Sequence, residues 1–311
     1  MSEQISVVIP TRNRPNLVCK AVESALAQTF KELEVIVVID GPDEATEDAL
    51  GQITDPRVRI LPLPENVGGS DARNAGVRAA RYDWVAFLDD DDEWLPEKLM
   101  KQINLAVNLH NPFPVMSCLS IVRTPGGDLT WPKRFPQPSE QISEYLCVRN
   151  SFYQGDTKLI TSSLLIKKLL LERVPFRSGM KKYQEFDWAL RAAQVEGVSF
   201  QFVPEPLYIY YAEQQRKAVS SQYDWKYFLH WLRENRNLFT TKAYAGYVAT
   251  DLSAQAAQQG QWEAFVPLLR ELFKFGVPRS FDLLLFMGMW FIPMDARHKI
   301  RNFFKKNKEI H

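Results

Sequence analysis

Trp84-Val85-Ala86-Phe87-Leu88-Asp89-Asp90-Asp91-Asp92 is the stretch on which the fold turns. Five apolar residues spell a buried strand, and four carboxylates follow without a break. Adjacent carboxylates repel and raise one another's pKa. A divalent cation relieves that repulsion, and carboxylate oxygens are the ligands that hard ions such as Mg²⁺ prefer. In open α/β sheets, ligands bind at the carboxyl ends of strands. The run therefore predicts a metal that holds a phosphorylated substrate. Side chains alternate along an extended segment, so Asp89 and Asp91 should face one way. Asp90 and Asp92 are left for loop hydrogen bonds or the next helix. The plain alternative is a solvated acidic turn with Asp92 capping a helix near Leu95. An EF-hand is excluded, because the loop lacks the required glycine and Trp94 and Leu95 fall at ligand positions.

Working outward, strand-like and helix-like segments alternate. Ile5–Ile9, Leu33–Ile39 and Arg57–Leu61 are apolar runs that match Trp84–Leu88. Between them, Leu17, Val18, Ala21, Val22, Ala25 and Leu26 recur at helical spacing behind Pro15, and Glu44–Gln52 and Ser70–Arg81 complete the pattern. Continuous rather than alternating apolar strands indicate a parallel sheet covered on both faces. Short strand–helix links predict a doubly wound, mostly parallel, Rossmann-like α/β fold. Further on, the sequence predicts a helix over Leu95–Leu109, strands over Val115–Val122, Leu129–Pro132 and Leu159–Ile166, a helix over Gln184–Val195, and a strand over Val198–Val203 ended by Pro204-Glu205-Pro206. From Tyr223 the pattern turns helical: Asp224–Asn235, Ala243–Gln258, Trp262–Lys274 and Arg279–Phe291. The chain divides near residue 220 on this reading, into a catalytic domain (1–220) and a helical appendage (221–311).

Composition removes several function classes. The 311 residues are 46% hydrophobic, enough for a sizeable core, and the net charge of +1 gives no sign of nucleic-acid binding. Cys19, Cys118 and Cys147 form no CxxC pair, which fits a reducing cytoplasm. His110, His230, His298 and His311 never pair at ligand spacing, which speaks against zinc. The N-terminus runs straight into a strand, with no signal-peptide pattern. No run of 18 apolar residues occurs, so no spanning helix is expected.

Three further clusters can carry chemistry. Asp40-Gly41 ends the second strand, where a carboxylate can accept from a uracil N3–H or from ribose hydroxyls; an ordinary Asp-Gly turn is the competing reading. Asn66-Val67-Gly68-Gly69-Ser70-Asp71-Ala72-Arg73-Asn74-Ala75-Gly76 combines glycines that let backbone approach a ligand with an arginine fork suited to phosphate. A capped helix with a surface arginine would look the same. Gln184-Glu185-Phe186-Asp187-Trp188 sets two carboxylates at a helix start, where an ionised one can act as a general base. A charged first turn without chemistry is the alternative. Trp131 and Trp188 could stack on sugar rings, with helix packing preferred for Trp188. Arg216, in the segment after the last strand, could reach a diphosphate, though a role there is not the preferred reading.

Together these pieces, from Ile5 to about Leu207, resemble family 2 glycosyltransferases with the GT-A fold. The resemblance implies a role for each matching residue. Pro10 and Thr11 would line the nucleotide base pocket, Asp40 would bond the base, and Arg73 would lie near the nucleotide. Asp89 and Asp91 match the family's DxD element, Asp89 on the ribose or sugar and Asp91 on Mn²⁺ or Mg²⁺. The family's Glu-Asp pair reads Gln184-Glu185 here, which puts Glu185 at the catalytic-base position with Asp187 in reserve. The implied reaction is inverting transfer from a nucleotide-diphosphate sugar, commonly a UDP-sugar, to a glycan or lipid-linked acceptor in cell-surface polysaccharide synthesis. A nucleotidyltransferase is the competing enzyme, but it would carry a glycine-rich loop after the first strand, where this chain has Pro10-Thr11-Arg12-Asn13. A non-catalytic sugar-nucleotide-binding protein is the third reading.

Phe281–Ile292 is strongly apolar yet too short to span a bilayer, and it precedes Arg297, His298, Lys299, Arg301, Lys305, Lys306 and Lys308. Two readings stand: a peripheral contact with the inner face of an anionic membrane, or a helix packed on the catalytic domain or at a dimer contact.

Overall fold

The computed structural model of the chain describes residues 3–152, 156–180, 182–212 and 224–292. By contact the chain divides into two compact units, Met1–Pro132 with Lys158–Val219, and Lys133–Thr157 with Ser220–His311. The sequence reading keeps residues 133–157 inside a 1–220 domain; they pack instead with the C-terminal helices.

The first unit opens with β1 (Ile5–Thr11), α1 (Pro15–Leu26), β2 (Leu33–Ile39), α2 (Glu44–Gly51), β3 (Val58–Pro62), α3 (Gly69–Ala79) and β4 (Trp84–Phe87). The strands pair in parallel in the order β3-β2-β1-β4, with Ile5 beside both Leu33 and Trp84. β2 is buried along its whole length, as its unbroken Leu-Glu-Val-Ile-Val-Val-Ile run requires. The period of two assigns the faces. Ile5, Val7 and Ile9 share a core with Val18, Ala21, Val22 and Ala25 of α1. Val8 and Val38 point the other way, toward α3. A Cβ on Gly76 would lie 2.3 Å from Val8 Cγ1, so glycine there permits the close approach of α3 to the sheet.

After β4 come β5 (Glu93–Trp94), α4 (Lys98–Val107), β6 (Phe113–Thr124), β7 (Gly127–Trp131), α5 (Ile142–Cys147) of the second unit, β8 (Leu165–Lys167), α6 (Lys168–Arg173), α7 (Gln184–Ala192) and β9 (Val198–Tyr211). The nine strands form one mixed sheet, ordered β3-β2-β1-β4-β8-β6-β9-β5, with β7 beside β6. β8 pairs antiparallel with both β4 and β6, and β9 lies parallel to β6.

Two strand expectations change. Leu159–Ile166 is no single strand: Thr161–Ser163 make a tight turn closed by the Ser163 amide and hydroxyl on Ile160 O, and only Leu165–Lys167 pair. Pro204 and Pro206 do not end β9. Val203 pairs with Cys118 and Pro206 with Leu119, so Pro204 and Glu205 bulge out of the ladder and the strand resumes.

The second unit holds α5 together with α8 (Trp225–Glu234), α9 (Thr241–Tyr247), α10 (Ser253–Gln258), α11 (Phe265–Lys274) and α12 (Ser280–Phe291). The helix expected over Ala243–Gln258 is α9 and α10 joined through a widened π turn at Val248–Leu252, where Ser253 Oγ donates back to Val248 O at 2.7 Å. Glu144 of α5 accepts from Lys242 Nζ at 2.8 Å, and a Cβ on Gly246 would meet Cys147 O at 2.5 Å. Among the described residues no helix is long and apolar enough to cross a membrane.

Candidate active site

The carboxyl ends of β1, β2 and β4 and the first turns of α3 and α7 surround a cleft of about 820 Å³. Pro10, Thr11, Asp40, Arg73, Asp89, Asp91 and Glu185, each named from the sequence, all line it; Asp187 does not.

The acidic run begins where the ladder stops. Leu88 N still donates to Val8 O, and then Asp92 N donates to Asp89 O across a turn. This turn breaks the strict alternation expected of an extended segment. Asp90 lines the cleft beside Asp89 and Asp91, and only Asp92 turns away, accepting from Ser162 Oγ. Ser162 Oγ in turn accepts from Asp89 N at 3.0 Å, so one buried hydroxyl holds both ends of the run. Thr11 Oγ1 donates to Asp90 Oδ2 at 2.8 Å, and Arg14 Nη1 reaches Asp90 Oδ1 at 2.9 Å and Asp91 Oδ2 at 3.0 Å. Burial pushes the Asp90 carboxyl up to about 6; the Arg14 charge pulls against this, and the Asp91 charge adds to it.

Arg73 joins the acidic run to α7. Its Nη2 donates to Asp89 Oδ1 and its Nη1 to Gln184 Oε1 at 2.6 Å, while Gln184 Nε2 donates to Met180 O. A Cβ on Gly69 would come within 3.1 Å of Arg73 Nη1 and 3.2 Å of Gln184 Oε1, so glycine makes room for this bridge. Glu185 follows at the second position of α7 and is half-buried. Burial raises its carboxyl above the ordinary glutamate range; its own backbone amide and Arg73 oppose the rise, and Asp89 adds to it.

Asp187, the reserve base, is fully buried. Its Oδ1 accepts from Arg177 Nε at 2.9 Å and its Oδ2 from Arg191 Nε at 2.7 Å. It anchors α7 and is not among the residues that line the cleft. Asp40 also carries a structural load. It accepts from Val67 N at 2.7 Å and Gly68 N at 3.0 Å, holding the glycine loop against the end of β2. Gly41, at φ +96°, presses within 2.9 Å of Asn66 N at its would-be Cβ, which only glycine tolerates.

Sequence reasoning gave Arg14 and Ser162 no role, and it foresaw loop hydrogen bonds for Asp90, which accepts from Thr11 and Arg14, but not its place in the cleft. The Arg12-Asn13-Arg14 triplet was a usable signal for Arg14; the other two depend on the turn. Neither tryptophan is open for stacking. Trp188 is fully buried with its Nε1 on Val174 O, and Trp131 is 9% exposed with its ring 6.2 Å from Tyr210. Arg216 lies outside the described residues.

Among the described residues no three His, Cys, Asp or Glu side chains are grouped to cage a metal. Mg²⁺ and ions like it bind substrate phosphates through only one or two protein carboxylates, with water completing the shell. Asp89 and Asp91, hard oxygen donors on the wall of one cleft, fit that pattern.

The comparisons agree with this architecture. The family model described as Glycosyl transferase family 2 matches residues 6–170, just over half of the chain. The amylovoran biosynthesis glycosyltransferase AmsB of Erwinia amylovora is 26% identical over 255 residues, 77% of this chain and 82% of that protein. The succinoglycan biosynthesis protein ExoO of Rhizobium meliloti is 42% identical over 102 residues, 33% of this chain, and the match spans only 29% of its length. A third relative, the UDP-Glc:alpha-D-GlcNAc-diphosphoundecaprenol beta-1,3-glucosyltransferase WfaP of Escherichia coli, is 34% identical over 33% of this chain and 41% of its own. In fold, S. aureus TarS 1-349 crystallised with UDP-GlcNAc superposes with a TM-score of 0.57 over 92% of this chain and 79% of that one, at 16% identity. A cleft built at the strand ends of such a sheet, and a family model that covers more than half of the residues, place the chain in glycosyl transferase family 2.

Proposed function

We propose that the protein transfers a sugar from a nucleotide-diphosphate donor, a UDP-sugar, to a hydroxyl of a glycan or lipid-linked acceptor during cell-surface polysaccharide synthesis. One observation carries the reading: Glu185 and Asp89–Asp91 line the same cleft, where Arg73 bridges Asp89 to Gln184, the residue before Glu185. The names of AmsB, ExoO and WfaP support the polysaccharide setting.

In this reading Pro10, Thr11 and Asp40 border the base, and Asp89 with Arg73 borders the ribose and diphosphate. Asp91, beside Asp89, would hold Mn²⁺ or Mg²⁺, whose bound charge would offset the charge developing on the departing diphosphate. Glu185 accepts the proton of the acceptor hydroxyl, which attacks the anomeric carbon opposite the leaving group. A single displacement inverts configuration and needs one base. A carboxylate whose pKa is raised by burial is a stronger base than a solvated one, which suits that task.

A screen of nucleotide sugars with Mn²⁺, read by release of the nucleoside diphosphate, tests the proposal. Turnover of a UDP-sugar that collapses in Asp91→Asn supports it. Tight UDP binding without any turnover would leave a sugar-nucleotide-binding protein, and absence of UDP binding would end the reading.

A further inference from the structure

Helix α12 (Ser-Phe-Asp-Leu-Leu-Leu-Phe-Met-Gly-Met-Trp-Phe) has two polar side chains, both in its first turn. The inner face buries Leu285, Phe286 and Trp290, and Arg279 clamps the start of the helix by pairing with buried Asp282 at 2.8 Å. The outer face is apolar as well. Leu284, Met287 and Phe291 recur at i, i+3 and i+7 and are 56%, 45% and 58% exposed. Trp262, 55% exposed, extends the stripe, its ring 5.8 Å from that of Phe291. Aromatic and long aliphatic side chains lie together in solvent where a surface helix ordinarily carries charge.

We propose that this face docks on an anionic lipid bilayer. The stripe leads directly into residues 293–311, where six lysines and arginines stand against two carboxylates. That tail lies outside the described residues. A negative bilayer surface attracts a cationic segment while the adjoining apolar stripe enters the headgroup boundary. The surface belongs to the second unit and is independent of the donor reading.

Flotation of the full chain with vesicles tests the proposal. The protein should float with vesicles containing phosphatidylglycerol, release in high salt, and stay behind with phosphatidylcholine alone. Leu284→Glu, Met287→Glu and Phe291→Glu together should weaken flotation by at least about tenfold, since losing one buried apolar side chain already costs that much. Lys305→Glu, Lys306→Glu and Lys308→Glu together should do the same. Donor turnover by each variant serves as the control for folding; among the described residues, Leu284, Met287 and Phe291 do not line the cleft. Wild-type protein that ignores anionic vesicles overturns the proposal, as does unchanged flotation of either triple variant. A concentration-dependent dimer that the stripe variant abolishes, without vesicle binding, would overturn it in favour of a self-contact.

Discussion

Glu185 and Asp187 stand two residues apart on α7 and face different surroundings. Two positions on a helix are separated by roughly 200° around its axis, so only one can look into the cleft. That one is Glu185, and Asp187 is held beneath by Arg177 and Arg191. The spacing was legible in the sequence; which face was the inner one was not, because it depends on where α7 docks. Two outcomes separate the roles. A base must be ionised, and a raised pKa means activity is lost as pH falls through a value above the ordinary 4.5. The acid limb of kcat/KM should therefore lie above that value. Glu185→Gln should remove the limb and lower turnover by about 10²–10⁴-fold with UDP binding retained; a variant with near-normal turnover would move the base elsewhere. Asp187→Ala should instead cost roughly 1–3 kcal/mol of stability, because two part-exposed arginines lose a buried acceptor. Thermal melts should show the loss, with turnover of the folded protein within about tenfold of wild type. Asp89 and Asp91 were readable from the run itself. Asp90 was not, because the turn that brings it into the cleft is fixed by Thr11, Arg14 and Ser162 from distant parts of the chain.

The elements divide along the same line. β1, β2, β4, α1 and α3 are legible because each carries its own signal: an unbroken apolar run, or apolar residues at helical spacing closed by proline or glycine. β5 and β8 hold two and three residues, too few for any period, and exist because β9 and β4 offer free edges. β9 crosses Pro204 and Pro206 because β6 accommodates a bulge, which no local rule for proline foresees. The seating of α3 on β1 is the element contact on which the site depends most, since α3 carries Arg73. Gly76→Ala would force a Cβ to within 2.3 Å of Val8 Cγ1 and 3.2 Å of Val38 Cγ2. Overpacking of this kind costs about 1–3 kcal/mol, offset by less than about 1 kcal/mol of helix propensity. The variant should melt lower and bind donor more weakly, as α3 lifts and draws Arg73 from Asp89 and Gln184. Unchanged melting would mean the helix has room that the packing denies.

At the scale of the molecule, the chain leaves one compact unit at Pro132, contributes residues 133–157 to the other, and returns. The sequence marks the change to helical periodicity near residue 220, and nothing in residues 133–157 marks their allegiance. A six-residue helix has too short a period to declare its partner, and α5 is assigned by what it touches. Its Ile142, Tyr145 and Cys147 are buried, Glu144 pairs with Lys242, and Cys147 O packs where Gly246 lacks a side chain. A chain cut to residues 1–220 would therefore keep α5 and discard the helices that cover it. Each large apolar side chain returned to water costs about 1.5–3 kcal/mol, so uncovering even two such side chains at the contact between α5 and α9 removes several kcal/mol of burial. That is a substantial share of the 5–15 kcal/mol that holds a typical domain together. The truncated chain should aggregate or melt well below the full chain. Restoring residues 221–292 should recover the melt, because α8–α12 supply the missing cover. A 1–220 fragment that stays monodisperse and melts with the full-length midpoint would show that residues 133–157 need no partner from the C-terminal helices.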